Sequence, residues 1–446
     1  MSTAAITVGQ RPWLRPKPLV MGRDLAFLHR IALILTAMAI SSLPFLHPAG
    51  PGNSSPTDLL MVPAIGAMVL WTILSGERIR APYGIAIGLV IIAGCVSGIA
   101  GPAVRGSLVT LGYPNAPLIA IVQDSYLLVW CLALVNFLRN SSDLRVVLAA
   151  WVYASAFWAA LMAVGVFAGI DRLSGIEVGN GVRAEGQFGD PNMASGYFAI
   201  SFFVLWASDV PRKPWQRVIL GGVLLVAMAL TGSNGGVLSL AVGIGFIALA
   251  AIRRKTGTIV AIAAICAVLL TGAAASKYVH PADIQAWARN SGVPILRDWI
   301  GRSEGSASQR VVILQEAWTM FQKVGPLGAG PGATQPILIS SLAPFPHQAH
   351  DDYLAAVVER GVEGGIAMIV LISAIFWRAR SSLAGRLKAD FAAVVPRRDA
   401  LIGALLGMAV AAGYYQVLHF RHLWALLAVI AIVQIWGRDW SIKSAS

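Results

Sequence analysis

Long apolar runs are the feature of this sequence that most constrains its fold. The clearest of them approach or exceed the roughly 20 residues that a helix needs to cross a bilayer core; they cover residues 25–46, 84–100, 117–138, 146–170, 256–275 and 365–377. Because the bilayer core holds no water to satisfy backbone amides and carbonyls, each run must be helical. Only 12% of the residues are charged, against about 25% in soluble domains, so lipid is the solvent for most of the chain.

Shorter apolar runs raise the predicted total to about twelve spans by the same length rule. They cover residues 59–74, 193–208, 218–230, 237–252, 401–417 and 423–436. We therefore predict an all-α polytopic membrane protein with one long periplasmic loop between the ninth and tenth helices. The predicted units are residues 1–276 with the first nine helices, 277–360 with the loop, and 361–446 with the last three helices.

Positive charges alternate along the chain in step with the predicted spans. Every second short loop is basic; the residues are Arg78, Arg80, Arg139, Arg145, Arg212, Lys213, Arg217, Arg253, Arg254, Lys255, Arg378, Arg380, Arg386, Lys388, Arg397 and Arg398. This pattern, rather than nucleic-acid binding, accounts for the net charge of +13, and the positive-inside rule places these loops and both basic termini in the cytoplasm. The leader opens into a full-length span without a cleavage-site pattern, so we expect the first helix to remain as an anchor.

Few polar groups interrupt the predicted spans. Cys95, Cys131 and Cys266 fall inside apolar runs, where a thiol acts as a small hydrophobe, and they form neither a disulfide framework nor a zinc spacing. Asp124 is the main charged residue within a span. Charged residues at mid-membrane mark ion and proton pathways, so their scarcity argues against a coupled transporter.

The long segment 277–350 carries a candidate anion site. Ser306 and Gln309 form a capping-box pattern ahead of an apolar stripe at helical spacing, which predicts a helix with Arg310 in its first turn. An arginine beside free backbone amides at a helix start can bind an anion; the alternative is an exposed arginine without a binding role. The glycine-rich stretch 326–332 lacks the lysine and hydroxyl residue of a phosphate loop and predicts a turn.

A second polar group precedes the tenth span, where a lipid head group would lie. Its members are His350, Asp351, Tyr353 and Glu359. A histidine can act as a general base near neutral pH because its usual pKa is about 6.5. The alternatives are a helix-capping cluster or an interfacial anchor. A metal site that includes His347 is a weaker interpretation, because Pro346 interrupts a regular helix there and a third strong ligand is not evident.

The loop 183–192 supplies a second arginine on the same side. Pro191 and Asn192 predict the start of a helix, which places the Arg183 guanidinium outside the bilayer but close to it. A guanidinium pairs with phosphate in a bidentate way and stays charged at any pH. Two such arginines and a histidine near the lipid surface therefore indicate a diphosphate-binding site together with a general base.

Four segments, taken in order, resemble the motifs of bacterial O-antigen ligases and Wzy-type polysaccharide polymerases. Residues 183–192 are similar to the arginine-glycine-phenylalanine-proline-asparagine motif of that family, and residues 231–236, 310–332 and 350–365 are similar to its later motifs. Each motif alone has low specificity, but the ordered set together with the predicted spans and long loop is more specific. The first four spans carry no motif.

The resemblance implies a metal-independent glycosyltransferase that uses an undecaprenyl-diphosphate-linked glycan as donor, without a cofactor, at the periplasmic face of the bacterial inner membrane. Carried over to this sequence, Arg183 and Arg310 would bind the diphosphate, and His350 would activate the acceptor hydroxyl or orient the donor. The supporting residues would be Asn192, Ser233, Asp351, Tyr353 and Glu359. A diphosphate is already a good leaving group, so it needs charge stabilisation more than a general acid.

The chain departs from the family pattern at two positions. Asn234 stands where the family commonly has an arginine, so the missing phosphate contact would come from elsewhere, with Arg105 and Arg302 as candidates. Asp351 stands where the family tends to have asparagine after the histidine. An acidic neighbour would raise the pKa of His350, and it would also repel phosphate.

Two transfer reactions remain open, with a third function from another class. A polymerase would join lipid-linked repeat units of an exopolysaccharide or O-antigen, whereas a ligase would hand the finished glycan to lipid A core. We favour the polymerase, since nothing in the long segment indicates a dedicated lipid A surface; chain-length regulators or export proteins would be its partners in the bilayer. A transporter of lipid-linked sugars would require polar residues at mid-membrane and internal repeats, and the sequence shows neither.

Overall fold

Helices make up the regular structure of this protein. The computed structural model describes residues 22–48, 54–105, 116–176, 183–275, 281–292, 303–344, 346 and 348–439. The helices are α1 (Gly22–Ser41), α2 (Asp58–Leu74), α3 (Gly84–Arg105), α4 (Ala116–Phe137), α5 (Ser141–Ala168), α6 (Asp171–Ser174), α7 (Pro191–Ala207), α8 (Pro214–Leu230), α9 (Asn234–Thr256), α10 (Thr258–Ala275), α11 (Pro281–Asn290), α12 (Ser303–Val324), α13 (Thr334–Ser340), α14 (Asp352–Leu383), α15 (Ala389–Val394), α16 (Asp399–Ala411) and α17 (Arg421–Ile435). Within the described ranges the one strand-like contact is an antiparallel bridge between Leu387 and Arg438. The all-α prediction is confirmed for these residues.

Several helices have the length and composition of membrane spans. Among the described residues, the five that are long and apolar enough are Gly22–Ser41, Pro117–Phe137, Ser141–Ala168, Asn234–Thr256 and Asp352–Leu383. Shorter apolar helices are Asp58–Leu74, Gly84–Ile99, Pro214–Leu230, Thr258–Val268, Asp399–Ala411 and Arg421–Ile435. The protein is thus a helical membrane protein. The total of about twelve spans and the unit boundaries at residues 276 and 360 remain predictions.

The loops gather at two opposite ends of the helix bundle. At one, which we call the basic end, Asp209 lies 3.7 Å from Arg145 and 3.5 Å from Arg217. The Arg397 amide there donates to the Ala207 carbonyl at 3.2 Å. Since α7 ends at Ala207 and begins at Pro191, the loop 183–192 lies at the other end, which we call the site end.

Two helices form the interior of the bundle. Helix α7 is buried along most of its length, and helix α17 is buried from His422 to Val433. Both are apolar on every face, as expected of helices surrounded by other helices. Helix α7 packs against α8, α9 and α16, so the start of α7 is held within the bundle.

The long segment between α10 and α14 is largely helical where it is described, and it corrects one prediction. Helix α12 begins at Ser303 rather than at Ser306, so Arg310 lies about two turns inside the helix. The predicted first-turn position of Arg310 is therefore wrong, whereas anion binding by Arg310 remains a prediction.

The predicted turn at 326–332 is confirmed, and it packs against a bend in α14. Gly361 bends that helix with a φ of +72°, a conformation that favours glycine. The Val362 amide donates to the Pro326 carbonyl at 2.9 Å, and the Ala329 amide donates to the Val358 carbonyl at 2.8 Å. Helix α14 begins at Asp352, so residues 352–360 belong to a helix and only the residues before them form a loop.

Candidate functional site

A polar network joins the first two family-like segments at the site end. The Arg183 guanidinium donates through Nη2 to Asn192 Oδ1 at 3.2 Å and through Nε to the Thr231 carbonyl at 2.9 Å. The Ser233 hydroxyl donates to the same Asn192 Oδ1 at 2.9 Å. One amide oxygen thus fixes an arginine and a serine from segments that are far apart in the chain.

Helix caps place these side chains. Asp190 caps α7, because its Oδ1 accepts from the Asn192 amide at 2.7 Å and from the Met193 amide at 3.0 Å, and Pro191 occupies the first helical position. Ser233 caps α9 by accepting from the Gly236 amide at 3.3 Å. The predicted helix start at Pro191 is confirmed, and the two helix starts face each other.

An open cleft lies beside this network. Asn192, Ser233, Arg310 and Tyr415 line it together with several apolar residues. The Arg310 guanidinium lies 5.9 Å from the centre of the Tyr414 ring, a distance at which a cation is attracted to an aromatic face. Burial lowers the pKa of Arg310, but a guanidinium remains charged at neutral pH. The cleft therefore presents a cation beside hydrogen-bonding groups.

His350 stands at the edge of this cleft. Its imidazole lies 5.6 Å from the ring of Tyr415, with an angle of 32° between the two planes. Its backbone has a φ of +48°, which is uncommon outside glycine and is often found at functional positions. Asp351 Oδ1 accepts from the Leu354 amide at 2.9 Å and so caps α14 directly after the histidine. Asp351 thus caps a helix, as the alternative interpretation of the polar group before the tenth span predicted.

Two of the proposed supporting residues lie away from the cleft. The Tyr353 hydroxyl donates to the Ala409 carbonyl at 2.5 Å. Glu359 is buried, and its carboxylate accepts from the Thr334 hydroxyl at 2.9 Å and from the Gly332 amide at 3.1 Å. Both contacts serve the packing around α14.

Three residues of the sequence hypotheses cannot be placed. Arg302 and His347 lie outside the described residues, as does the side chain of Arg105. Among the side chains that are described, no group of three His, Cys, Asp or Glu residues has the arrangement of a metal site.

The residues after α16 that line the cleft were not predicted from the sequence. The apolar run 401–417 was predicted as a span, but α16 ends at Ala411, and Tyr414 and Tyr415 lie in the following loop. Asp190 was also missed as a polar contact of that loop, since its Oδ2 accepts a short hydrogen bond from the Tyr415 hydroxyl. Two adjacent tyrosines at the end of an apolar run were a signal for the membrane interface rather than for a site.

Charged residues within the helices are also more extensively paired than the sequence indicated. Arg360 donates through Nη2 to Asp124 Oδ2 at 2.6 Å, and Glu359 lies 4.0 Å from the same guanidinium. Arg421 binds the two oxygens of Asp58 at 2.9 and 2.6 Å. The prediction of Asp124 as the main charged residue of the spans is therefore incomplete, because its partner came from a distant segment.

Together these features define a helical membrane protein with a polar cleft at one end, in which an arginine, an asparagine and a serine meet beside a histidine. Within this class, residues 219–385 match the model of the O-antigen ligase family. The match covers less than half of the chain, and it confirms the resemblance to O-antigen ligases and Wzy-type polymerases. No curated protein matches the chain.

The matched segment covers part of the cleft. Ser233, Arg310 and His350 lie within residues 219–385, whereas Arg183 and Tyr415 lie outside it. The match supports glycosyl transfer of the O-antigen ligase or polymerase type. It does not by itself assign a role to any side chain.

Proposed function

We propose that this protein transfers a glycan from an undecaprenyl-diphosphate-linked donor to a hydroxyl acceptor at the periplasmic face of the bacterial inner membrane. The observation that carries the proposal is the cleft itself. Asn192, Ser233 and Arg310 come from three separate segments and line the same cleft. The His350 imidazole lies 5.6 Å from the ring of Tyr415, which also lines that cleft. Polymerisation of exopolysaccharide or O-antigen repeat units is the reaction we favour.

The chemistry assigns a distinct task to each charged group. The acceptor oxygen forms a bond to the anomeric carbon of the donor glycan, and the bond from that carbon to the diphosphate oxygen breaks. His350 accepts the proton of the acceptor hydroxyl, and undecaprenyl diphosphate leaves with the electron pair of the broken bond. Arg183 and Arg310 hold the diphosphate, because paired guanidinium groups stabilise the charge that develops on its oxygens.

An apolar groove beside the cleft supports a polyprenyl donor. The groove lies between α14, α16 and α17 and extends from Tyr353 to Leu383. It shares Met408 and Val417 with the cleft. Two of its wall residues, Ile372 and Phe376, are 43% and 63% exposed, so the groove opens on the outside of the bundle. A polyprenyl chain in this groove would bring its diphosphate towards the start of α14, which follows His350 in the chain.

Transfer by the purified protein is the direct test. We expect the wild-type protein to lengthen or transfer the glycan of a polyprenyl-diphosphate donor when an acceptor glycan is present. His350→Ala should lower the rate by at least about 100-fold, as expected for loss of a general base. The neighbouring exposed residue provides the control, since Gln348→Ala should leave the rate unchanged. Full transfer by His350→Ala would refute the assignment of the base; movement of the lipid across liposomes without transfer would indicate a transporter.

The orientation of the cleft can be tested separately. After Cys95, Cys131 and Cys266 are replaced by alanine, Leu342→Cys at the site end should react with an impermeant maleimide in intact spheroplasts. Ile79→Cys at the basic end is the matched exposed position, and it should react only after permeabilisation. The reverse pattern would place the cleft in the cytoplasm and would rule out the periplasmic reaction.

The ligase reaction is the second candidate, and the description of the matched family as O-antigen ligase favours it. Both reactions use the same donor and differ in the acceptor. A strain without this protein that accumulates single repeat units would identify a polymerase. Full-length glycan retained on the polyprenyl carrier in that strain would identify a ligase.

A further inference from the structure

The loop 412–420, which joins α16 to α17, is fixed to the helix that follows His350. Asp352 Oδ2 accepts from the Val417 amide at 2.7 Å and from the Leu418 amide at 3.1 Å. The Asp352 amide in turn donates to the Ala412 carbonyl at 2.8 Å. Because Asp352 is the first residue of α14, this loop and His350 are held by the same helix end. The loop lies outside the segment that matches the family.

Tyr415 of this loop lines the cleft and contacts His350. The centre of its ring lies 5.6 Å from that of the His350 imidazole and 5.7 Å from that of the Phe420 ring. Its hydroxyl donates a short hydrogen bond to Asp190 Oδ2. The neighbouring Tyr414 is exposed and lies against Arg310 instead. The two consecutive tyrosines thus serve different groups of the cleft.

The hydroxyl of Tyr415 connects His350 to the diphosphate side of the cleft. Its acceptor, Asp190, caps α7 through the other carboxylate oxygen and so fixes the position of Asn192. Asn192 then holds Arg183. A continuous series of contacts therefore leads from the imidazole through Tyr415 and Asp190 to an arginine.

Tyr415 is suited to hold this arrangement and unsuited to take the proton itself. Burial and the Asp190 carboxylate both raise the pKa of Tyr415. The phenol therefore remains protonated and remains a hydrogen-bond donor across the physiological range. A simple anchor at the membrane interface would not need a carboxylate partner within the protein.

We propose that Tyr415 is a positioning residue for glycosyl transfer: it holds the His350 imidazole at the edge of the cleft through ring contact, and it is itself held by its hydrogen bond to Asp190. The proposal rests on the proposed function, because it assigns Tyr415 its role through His350. It predicts an effect on the rate of the bound complex rather than on donor binding.

The kinetic test separates the hydroxyl from the ring. Tyr415→Phe keeps the ring contact and should lower kcat about tenfold with an unchanged KM for the donor, as expected for one lost hydrogen bond to a charged group. Tyr415→Leu removes both contacts and should lower kcat further. Tyr153→Phe, an exposed tyrosine on α5, is the matched control and should behave as the wild type. Wild-type kcat in Tyr415→Phe and Tyr415→Leu, or a loss confined to KM, would overturn the proposal.

A double-mutant cycle tests the connection to Asp190. If the hydroxyl acts through that carboxylate, then Tyr415→Phe should add little to the loss of kcat already caused by Asp190→Asn. Independent and additive losses would show that the two residues act separately and would overturn the proposed connection.

A second readout does not depend on transfer. The rate at which diethyl pyrocarbonate modifies His350, followed by mass spectrometry, should rise in Tyr415→Leu and less in Tyr415→Phe. If the wild-type protein transfers no glycan but this rate rises, the proposed function fails while the contact between Tyr415 and His350 stands. An unchanged modification rate in both variants would overturn the positioning role even if transfer is observed.

Discussion

Arg310 and Arg360 lie at the same end of the protein, yet their surroundings differ. Arg360 is buried, and Asp124 binds its guanidinium at 2.6 Å, with Glu359 at 4.0 Å. Arg310 is half-buried beside an open cleft, and its guanidinium lies over the ring of Tyr414. Among the described residues, the structure pairs Arg310 with no carboxylate.

The difference indicates which arginine can bind a substrate anion. A guanidinium already neutralised by a buried carboxylate holds two helices together, and an added phosphate would have to displace that carboxylate. A guanidinium over an aromatic ring keeps its charge and its hydrogen-bond donors for another partner. Four variants or conditions test this distinction.

Removal of Arg360 should have the largest effect, and the effect should be on stability. Arg360→Leu leaves the partly buried Asp124 without its partner, which should lower the free energy of unfolding by about 3 to 5 kcal/mol. Thermal unfolding in detergent measures it. The double variant Arg360→Leu, Asp124→Leu should recover most of the loss, because no unpaired charge remains. A single variant as stable as the wild type would show that the pair is not structural.

Removal of Arg310 should act on transfer. Arg310→Gln should raise the transition-state free energy by about 1.5 to 3 kcal/mol, the range for a lost charge-assisted contact, and should change stability by less than about 0.5 kcal/mol. Arg310→Lys should also be impaired, since the planar fork is lost. The value of kcat/KM for the donor measures the effect. Full activity in both variants would remove Arg310 from the site.

Substitution of Ser233 tests an uncharged residue that lines the cleft. Ser233→Ala removes the cap of α9 and the hydrogen bond to Asn192, so stability should fall by about 1 kcal/mol. Ser239→Ala is the matched control on the same helix, because its hydroxyl donates only to the Gly235 carbonyl of the preceding turn. Equal unfolding temperatures for the two variants would contradict the role given to Ser233.

A change in salt concentration should have the smallest effect of the four, and it should distinguish Arg310 from Arg360. Between about 0.1 M and 1 M salt, where the Debye length falls from about 10 Å to about 3 Å, the KM for the donor should rise roughly two- to threefold. The contribution of the buried Asp124 and Arg360 pair should be insensitive to the same change, as a comparison of wild-type and Arg360→Leu unfolding would show. A KM independent of salt would argue against an anion at Arg310.

Much of the fold followed from the apolar runs because lipid leaves the backbone few options. The start of α7 at Pro191 was predicted from Pro191 and Asn192, since a proline at the first helical position acts locally. The end of α16 was not, because the run remains apolar to Val417. The Val417 amide donates to the Asp352 carboxylate instead of to a carbonyl of the helix. Asp352 lies 65 residues from Val417 in the chain.

The same contrast holds for the site. The order of the family-like segments led to Asn192, Ser233 and Arg310, which the fold brings to one cleft. Tyr415 escaped notice because a tyrosine at the end of an apolar run usually lies at the lipid interface. The pairing of Asp124 with Arg360 spans 236 residues, and no local pattern indicates it. Local chemistry was readable from the sequence, whereas contacts between distant segments required the fold.

The groove beside α14 opens sideways, and this has a kinetic consequence for the proposed reaction. A donor that enters from the plane of the membrane never passes through bulk water, so the protein responds to its mole fraction among the surrounding lipids. Dilution with inert phospholipid, at constant total donor per volume, should then slow turnover. Rates measured in mixed micelles of different composition become comparable only when they are expressed per unit of two-dimensional concentration.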